Sequence, residues 1–578
     1  MENNHPLWIE KMLELYQSGV AHAFIPHFNV NDYTTPEKPI NSVAYLTKLL
    51  AKREIVAIYS RDRGIEFGSD EQRQLALNLL GLGQQSSNDP MLMALQSVGQ
   101  TSPAELPTDP ASALPLLDQL LRSPNKTAVI VDGAELIIPA SDIATMPPAD
   151  RTALATIRRW GRDSQVGENG IVFLVTNNLS AIHPELKAAS SRFEALEVTL
   201  PDCESRARFI SRWLSERGQE IDLGDLTVLS IANATAGLSL MHVEDILLRA
   251  FRSGKLTQDL IWSRKESIIR SEFGDVLEVI QPRMSFEDIG GLENIKEFFS
   301  RSVIRPIRDG RKSRVPMGVL MTGPAGTGKS IMAEAVATEA KVNAVKLRIG
   351  GQIASKWQGE GERNLEKALQ AIAGLAPTIV FIDEIDQAMS RGNGASGSQQ
   401  DQRIFQRLLE FMSDTSHRGE IVFLAATNRP DLMDAALKRP GRFDKKIPFL
   451  VPDEAERQSI VGVMSRKYLG EAVKASAGLL KAIEGWTGAE IEGAAVKANE
   501  LMEDYGLSAA DAMEKAVSKL SPSTADIEFM TMLSIQSCDD RDLLPAKYQK
   551  LLDNRAELES KIEAGQKKTD SYRKSREL

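Results

Sequence analysis

Gly323 to Ser330 read GPAGTGKS and follow the apolar run Val319-Leu320-Met321. The octet fits G-x-x-x-x-G-K-[ST] without a gap, and the chemistry of that pattern is the holding of phosphate. Gly323, Gly326 and Gly328 let successive N–H groups turn inward as an anion-binding nest, which the start of a helix closes. Pro324, Ala325 and Thr327 complete the loop, Lys329 would reach the terminal phosphates of a nucleotide, and Ser330 would hold Mg²⁺. A second apolar run, Ile379 to Ile382, ends on Asp383-Glu384. Asp383 would hold Mg²⁺ through water, and Glu384 would polarise an attacking water. Asn428, just beyond the run Ile421 to Ala426, is placed to orient that water or to sense the γ-phosphate. Arg439 and Arg442 stand three apart around a Pro-Gly turn. Guanidinium groups stabilise charge on a transferring phosphoryl group and are often supplied in trans. The predicted ligand is a nucleotide polyphosphate with Mg²⁺.

These residues need buried parallel strands that end at a common edge. Ile331 to Lys341 (IMAEAVATEAK) is a strong helix former directly after the loop, and the apolar runs before Gly323 and Asp383 read as strands. Strands alternating with helices predict an α/β fold over most of the chain. At 578 residues it is too long for one core. A composition of 42% hydrophobic and 26% charged residues is that of a soluble globular protein, and a net charge of −10 argues against general nucleic-acid binding. The basic cluster Arg301, Arg305, Arg308, Arg311, Lys312 and Arg314 reads as a solvated helix face and loop. Two cysteines, Cys203 and Cys538, support neither a disulfide framework nor a cysteine metal site. With no basic leader and no apolar segment near the roughly 18 residues of a membrane span, a cytoplasmic location, or the equivalent interior of an organelle, is expected.

The first half repeats the second in outline. Val129 to Gly133 resembles Val380 to Glu384 at an offset of 251, while Val172 to Asn178 matches Val422 to Asn428, and Arg192-Phe193 matches Arg442-Phe443, at 250. In the first copy the strand Glu54 to Ser60 is followed by RDRGIEFGSDE, which has no Gly-Lys-Ser/Thr, and the acidic pair is reduced to Asp132-Gly133. That copy reads as inactive, kept for structure or recruitment. Gly83 to Ser112, rich in Gln, Ser and Pro, reads as a long loop, and Leu256 to Arg270 as a helix leading out of the first half. From Asp542 a charged helical tail carries Leu544, Tyr548, Leu551, Leu552 and Leu558 on one face. Packing on a neighbour, a short coiled coil and a solvated helix all fit that pattern.

FEDIGGL (Phe286 to Leu292), GPAGTGKS, FIDEID (Phe381 to Asp386) and ATNRPDLMDAALKRPGRFD (Ala426 to Asp444) together resemble the AAA family of ATPases, in the branch containing katanin, FtsH and the proteasomal ATPases. The two-copy layout also resembles the hypothetical chloroplast frame AAA proteins. The resemblance implies an α/β P-loop ATPase domain with a helical lid, preceded by a degenerate AAA-like domain. The expected divisions are 1–200, degenerate α/β domain; 201–270, its helical lid; 271–285, linker; 286–452, ATPase domain; 453–541, lid; and 542–578, tail. It further implies a homo-hexameric ring with ATP between subunits. Asp288, Ile289 and Gly290 would lie near adenine, Gly488 and Ala489 would contact nucleotide from the lid, and Arg439 and Arg442 would reach a neighbour's ATP. Ser355 to Glu360 resembles a pore loop, in which Lys356 and Trp357 would grip a polypeptide; a packed aromatic is the alternative for Trp357. The Gly/Ser-rich stretch Arg391 to Ser398 is a candidate second pore loop. In the first copy Ala189 stands where the second has Arg439.

The leading expectation is ATP-driven remodelling of a protein substrate or complex. The alternative is a nucleotide-dependent regulator or scaffold that recruits partners through its inactive half. A protease motor is disfavoured: no H-E-x-x-H occurs, and the end Ser575 to Leu578 lacks the tail by which proteasomal ATPases dock.

Overall fold

The computed structural model describes residues 5–37, 39–82, 106–217, 221–273, 276–281, 283–349, 360–386, 399–434, 436–437, 439, 441–522 and 526–576. Lys356, Trp357 and the stretch 391–398 lie outside the described residues. The chain divides into two units, Met1–Ile261 and Trp262–Leu578, and the division falls within the helix Gln258–Phe273.

The first unit is built on β1 (Ala23–Phe28), β2 (Ile55–Ser60), β3 (Gly64–Phe67), β4 (Thr127–Asp132), β5 (Gly170–Val175) and β6 (Phe193–Val198), in the order β3-β2-β4-β5-β1-β6. All neighbours are parallel except β2 and β3. Both faces of this sheet are covered. Val172 and Leu174 enter one core with Trp160 and Tyr59, while Ile171, Phe173 and Val175 enter another with Phe24 and Trp8. Strand side chains alternate between faces, so a strand covered on both sides reads as continuously apolar. The helices Cys203–Arg217, Val228–Ala234 and Leu240–Ser253 form this unit's helical layer.

The second unit repeats the plan with β7 (Leu277–Ile280), β8 (Gly318–Thr322), β9 (Asn343–Leu347), β10 (Thr378–Ile382), β11 (Ile421–Thr427) and β12 (Lys445–Pro448), in the order β12-β8-β11-β10-β9-β7. Only β7 runs antiparallel to its neighbour. Helices Glu454–Leu469, Gly488–Tyr505 and Ala509–Lys519 make a separate lid core around Trp486, Ile491 and Met513.

Register corrects two readings of the repeat. β1 lies between β5 and β6 as β8 lies between β11 and β12, so the first-half counterpart of the strand before the phosphate loop is β1, not the strand ending at Ser60. Pro26 and His27 inside Ala23–Phe28 hid it, because proline removes a ladder donor and is rare in a central strand. Val129 pairs with Val172 as Ile379 pairs with Val422, so β4 and β5 match β10 and β11 at 250 and Asp132 occupies the ladder position of Ile382. The first copy is one residue shorter before the left-handed turn residue, which is Gly133 (φ 68°) there and Glu384 (φ 49°) in the second.

Two further expectations shift. The helix Pro110–Leu121, capped by Asp109, begins inside the stretch read as loop. Residues 527–541 were expected in the lid, yet the helix Ile527–Ser537 lies against β12 and Ser537 Oγ is 3.2 Å from Thr322 Oγ1. Leu551 and Leu558 of the tail bury beside Met532 and Ile535 of that helix, so the tail packs on its own chain.

Candidate functional site

The helix Lys329–Ala340 starts where β8 ends, with Gly328 in the N-cap position at φ 95°. A cavity of about 330 Å³ opens over this junction, within the range of small-molecule sites. Its walls include Ala325, Gly326, Thr327, Gly328, Lys329 and Ser330. Pro324 lies behind the loop: its carbonyl accepts from Thr327 Oγ1 at 2.9 Å and from Lys329 Nζ at 2.7 Å. Gly326 is where the lid touches the loop. Ala489 N donates to its carbonyl at 3.0 Å, and a β-carbon there would stand 2.9 Å from Ala489 Cβ.

Lys329 is 8% exposed. Its Nζ also donates to Gly323 O (2.8 Å) and Asn428 Oδ1 (2.9 Å), so its hydrogen-bond acceptors are all neutral. Burial lowers its pKa to about 8, opposed by the charges of Asp383 and Asp386. A buried ammonium held only by neutral oxygens is an electrostatic deficit that a polyphosphate would correct.

Asp383 and Glu384 stand at the carboxyl end of β10 and line the same cavity with Asn428. Lys346, on the adjacent β9, pairs with Asp383 Oδ2 at 3.0 Å. Thr427 Oγ1 donates to the buried Asp386 at 2.7 Å and accepts from Arg429 N, which ties the end of β11 to the acidic turn. Ser330 and Asp383, a hydroxyl and a carboxylate on one cavity, form a donor set of the hard oxygen type that suits Mg²⁺.

The cavity is also lined by Asp288, Ile289, Gly290, Gly488, Ala489, Leu450, Ile460 and Met464. Gly290 has no room for a side chain, since a β-carbon would lie 2.5 Å from Ile460 Cα. The Asp288 carboxylate accepts from Ser285 N (2.8 Å) and Oγ (2.9 Å), which holds its pKa low, so it fixes the entry turn. Sequence reading missed Lys346, Thr427, Glu456, Ile460 and Met464. Only Glu456 carried a local signal, the capping box it forms with Asp453 at the start of the first lid helix.

Arg439 and Arg442 are not brought to this cavity. Arg439 is exposed, and Arg442 donates from Nε to Ser413 Oγ at 3.1 Å and from Nη1 to Ala436 O at 2.5 Å. Both precede β12, which runs parallel to β8 with Lys445 opposite Val319, whereas the loop follows the far end of β8. Four to five residues of about 3.3 Å each separate the two edges, on the order of 15 Å.

A family model described as ATPase family associated with various cellular activities (AAA) matches residues 319–451. Models of the AAA+ chaperone N-terminal Rossmann-like domain and second helical domain match 2–199 and 204–274. The chain is 32% identical over 302 residues to a proteasome-activating nucleotidase of Aeropyrum pernix, covering 50% of this chain and 72% of the relative. It is 29% identical over 390 residues to a cell division cycle protein 48 homolog of Archaeoglobus fulgidus (63% and 53%). With the peroxisomal ATPase PEX6 of Eremothecium gossypii it shares 32% over 333 residues (52% and 32%). It thus spans about half or less of these last two relatives. The phosphate loop, the acidic strand end and these matches together place the chain in the AAA family of ATPases.

Proposed function

We propose that this ATPase works as a homo-hexameric ring that couples hydrolysis to remodelling of a protein substrate or disassembly of a complex, with each site completed by Arg439 and Arg442 of the neighbouring subunit. The observation that carries the ring is the placement of both arginines beyond reach of their own chain's cavity. A relative named as a proteasome-activating nucleotidase supports a protein substrate over nucleic acid. Among the described residues no helix is long and apolar enough to cross a membrane. A cytoplasmic location is part of the proposal.

Within one subunit, Lys329 and the loop N–H groups would bind the polyphosphate. Ser330 and Asp383 would hold Mg²⁺, which when bound neutralises phosphate charge. Glu384 would take a proton from water and Asn428 would orient that water. Lys356 and Trp357 would grip the polypeptide in the pore. Substituting Trp357→Ala tests remodelling against regulation: ATP-driven unfolding of a reporter protein should fail while ATP turnover and assembly persist. Unfolding at the wild-type rate would overturn the threading role.

A further inference from the structure

The first half has no phosphate loop, yet the chain at the corresponding place makes its own contact with the helical layer. β1 takes the place of β8, so the chain leaving β1 at Asn29 takes the place of Gly323. Residues 29–41 contain no glycine, so they lack the residues from which a phosphate nest is built. Across from them stands the helix Leu240–Ser253, capped by Ser239, as the helix Gly488–Tyr505 is capped by Thr487. Leu240 and Met241 therefore stand where the ATPase half has Gly488 and Ala489.

The first N–H groups of a helix have no partner within it and attract anions. Here the anion belongs to the chain itself. Asp32, 5% exposed, accepts from Leu240 N at 2.9 Å with one oxygen and from Met241 N at 3.0 Å with the other. Asn29 Nδ2 adds a third bond at 3.0 Å. Burial pushes the carboxyl above its ordinary pKa, and these N–H donors pull it back. The next residue repeats the connection: Tyr33 OH donates to Glu244 Oε2 at 2.6 Å on the same helix, and its ring meets Phe209 of the helix Cys203–Arg217. Arg212 of that helix donates to Glu37 O at 2.5 Å. Loop and helical layer are joined by side chains at three successive points, whereas in the ATPase half a cavity separates the loop from most of the lid.

We propose that Asp32 is an internal ligand standing in for a nucleotide, closing the first half's helical layer onto its sheet and holding that half in one nucleotide-independent arrangement. The first half is then a fixed body, and nucleotide-driven motion belongs to the second half alone.

Hydrogen exchange on the full chain, with ADP as the probe, tests this. In wild type and in Lys329→Ala, which disables the second loop, ADP should leave exchange in 29–41 and 239–253 unchanged. Asp32→Ala should speed exchange at the first turn of Leu240–Ser253 by about tenfold or more, as expected when the Leu240 and Met241 amides lose the Asp32 acceptor. ADP-induced protection of 29–41 or 239–253 in Lys329→Ala would overturn the proposal, as would wild-type exchange in a folded Asp32→Ala chain. Should Asp32→Ala unfold the first half, Asp32→Asn decides: faster exchange at that turn supports the internal ligand, and wild-type exchange overturns it.

Discussion

Glu384 holds a left-handed backbone conformation that a β-carbon resists, at the turn where the first half carries Gly133. A glutamate kept at a glycine position implies that its carboxylate is needed there. Glu384→Gly should therefore gain up to about 1 kcal/mol in a denaturant titration of the second unit while losing ATP turnover by at least about a hundredfold. Glu384→Gln should lose turnover alone. If Lys329 holds the polyphosphate as proposed, it sets the pH response of binding. Its pKa near 8 means that the ammonium is already formed below that pH; above it, phosphate binding must draw a proton in. ADP affinity should be flat below about pH 8 and fall by about tenfold per unit above it, and Lys329→Met should remove that slope; titration of a fluorescent ADP from pH 7 to 9.5 reads both. The sequence showed these two residues because phosphate chemistry demands their types at fixed spacing. Lys346 and Thr427 were silent because they enter through strand pairing, and Ile460 because it arrives from the lid.

The covered strands were legible as apolar runs, since burial on both faces leaves no polar alternation. β1 was not, because its proline and histidine break the run, and the repeat slipped by one residue at β4, where a similar sequence of apolar side chains fits either register. The tail's apolar face was visible, but its partner was not. That partner, the helix Ile527–Ser537, is buried through the consecutive residues Thr531 to Ile535 and gives no periodic signal. Leu558 is 2% exposed against it. Leu558→Ala should lower the unfolding free energy of the second unit by about 2–3 kcal/mol, seen as an earlier denaturant midpoint; an unchanged midpoint would mean that the tail contributes nothing to the fold.

Over the whole molecule, one plan serves two purposes. In the second half the plan leaves a cavity whose buried lysine lacks a contacting counter-charge. In the first half the corresponding place is filled by the chain's own carboxylate. Neither arginine lines the cavity that their chemistry suits, so the account requires a second subunit. The most direct measurement is the ATPase rate of Arg439→Ala mixed with Glu384→Gln. Each variant alone should be inactive, and the mixture should regain partial activity that rises with protein concentration, because some interfaces then pair an intact Glu384 with an intact Arg439. A wild-type rate per subunit independent of concentration and untouched by Arg439→Ala would contradict the account.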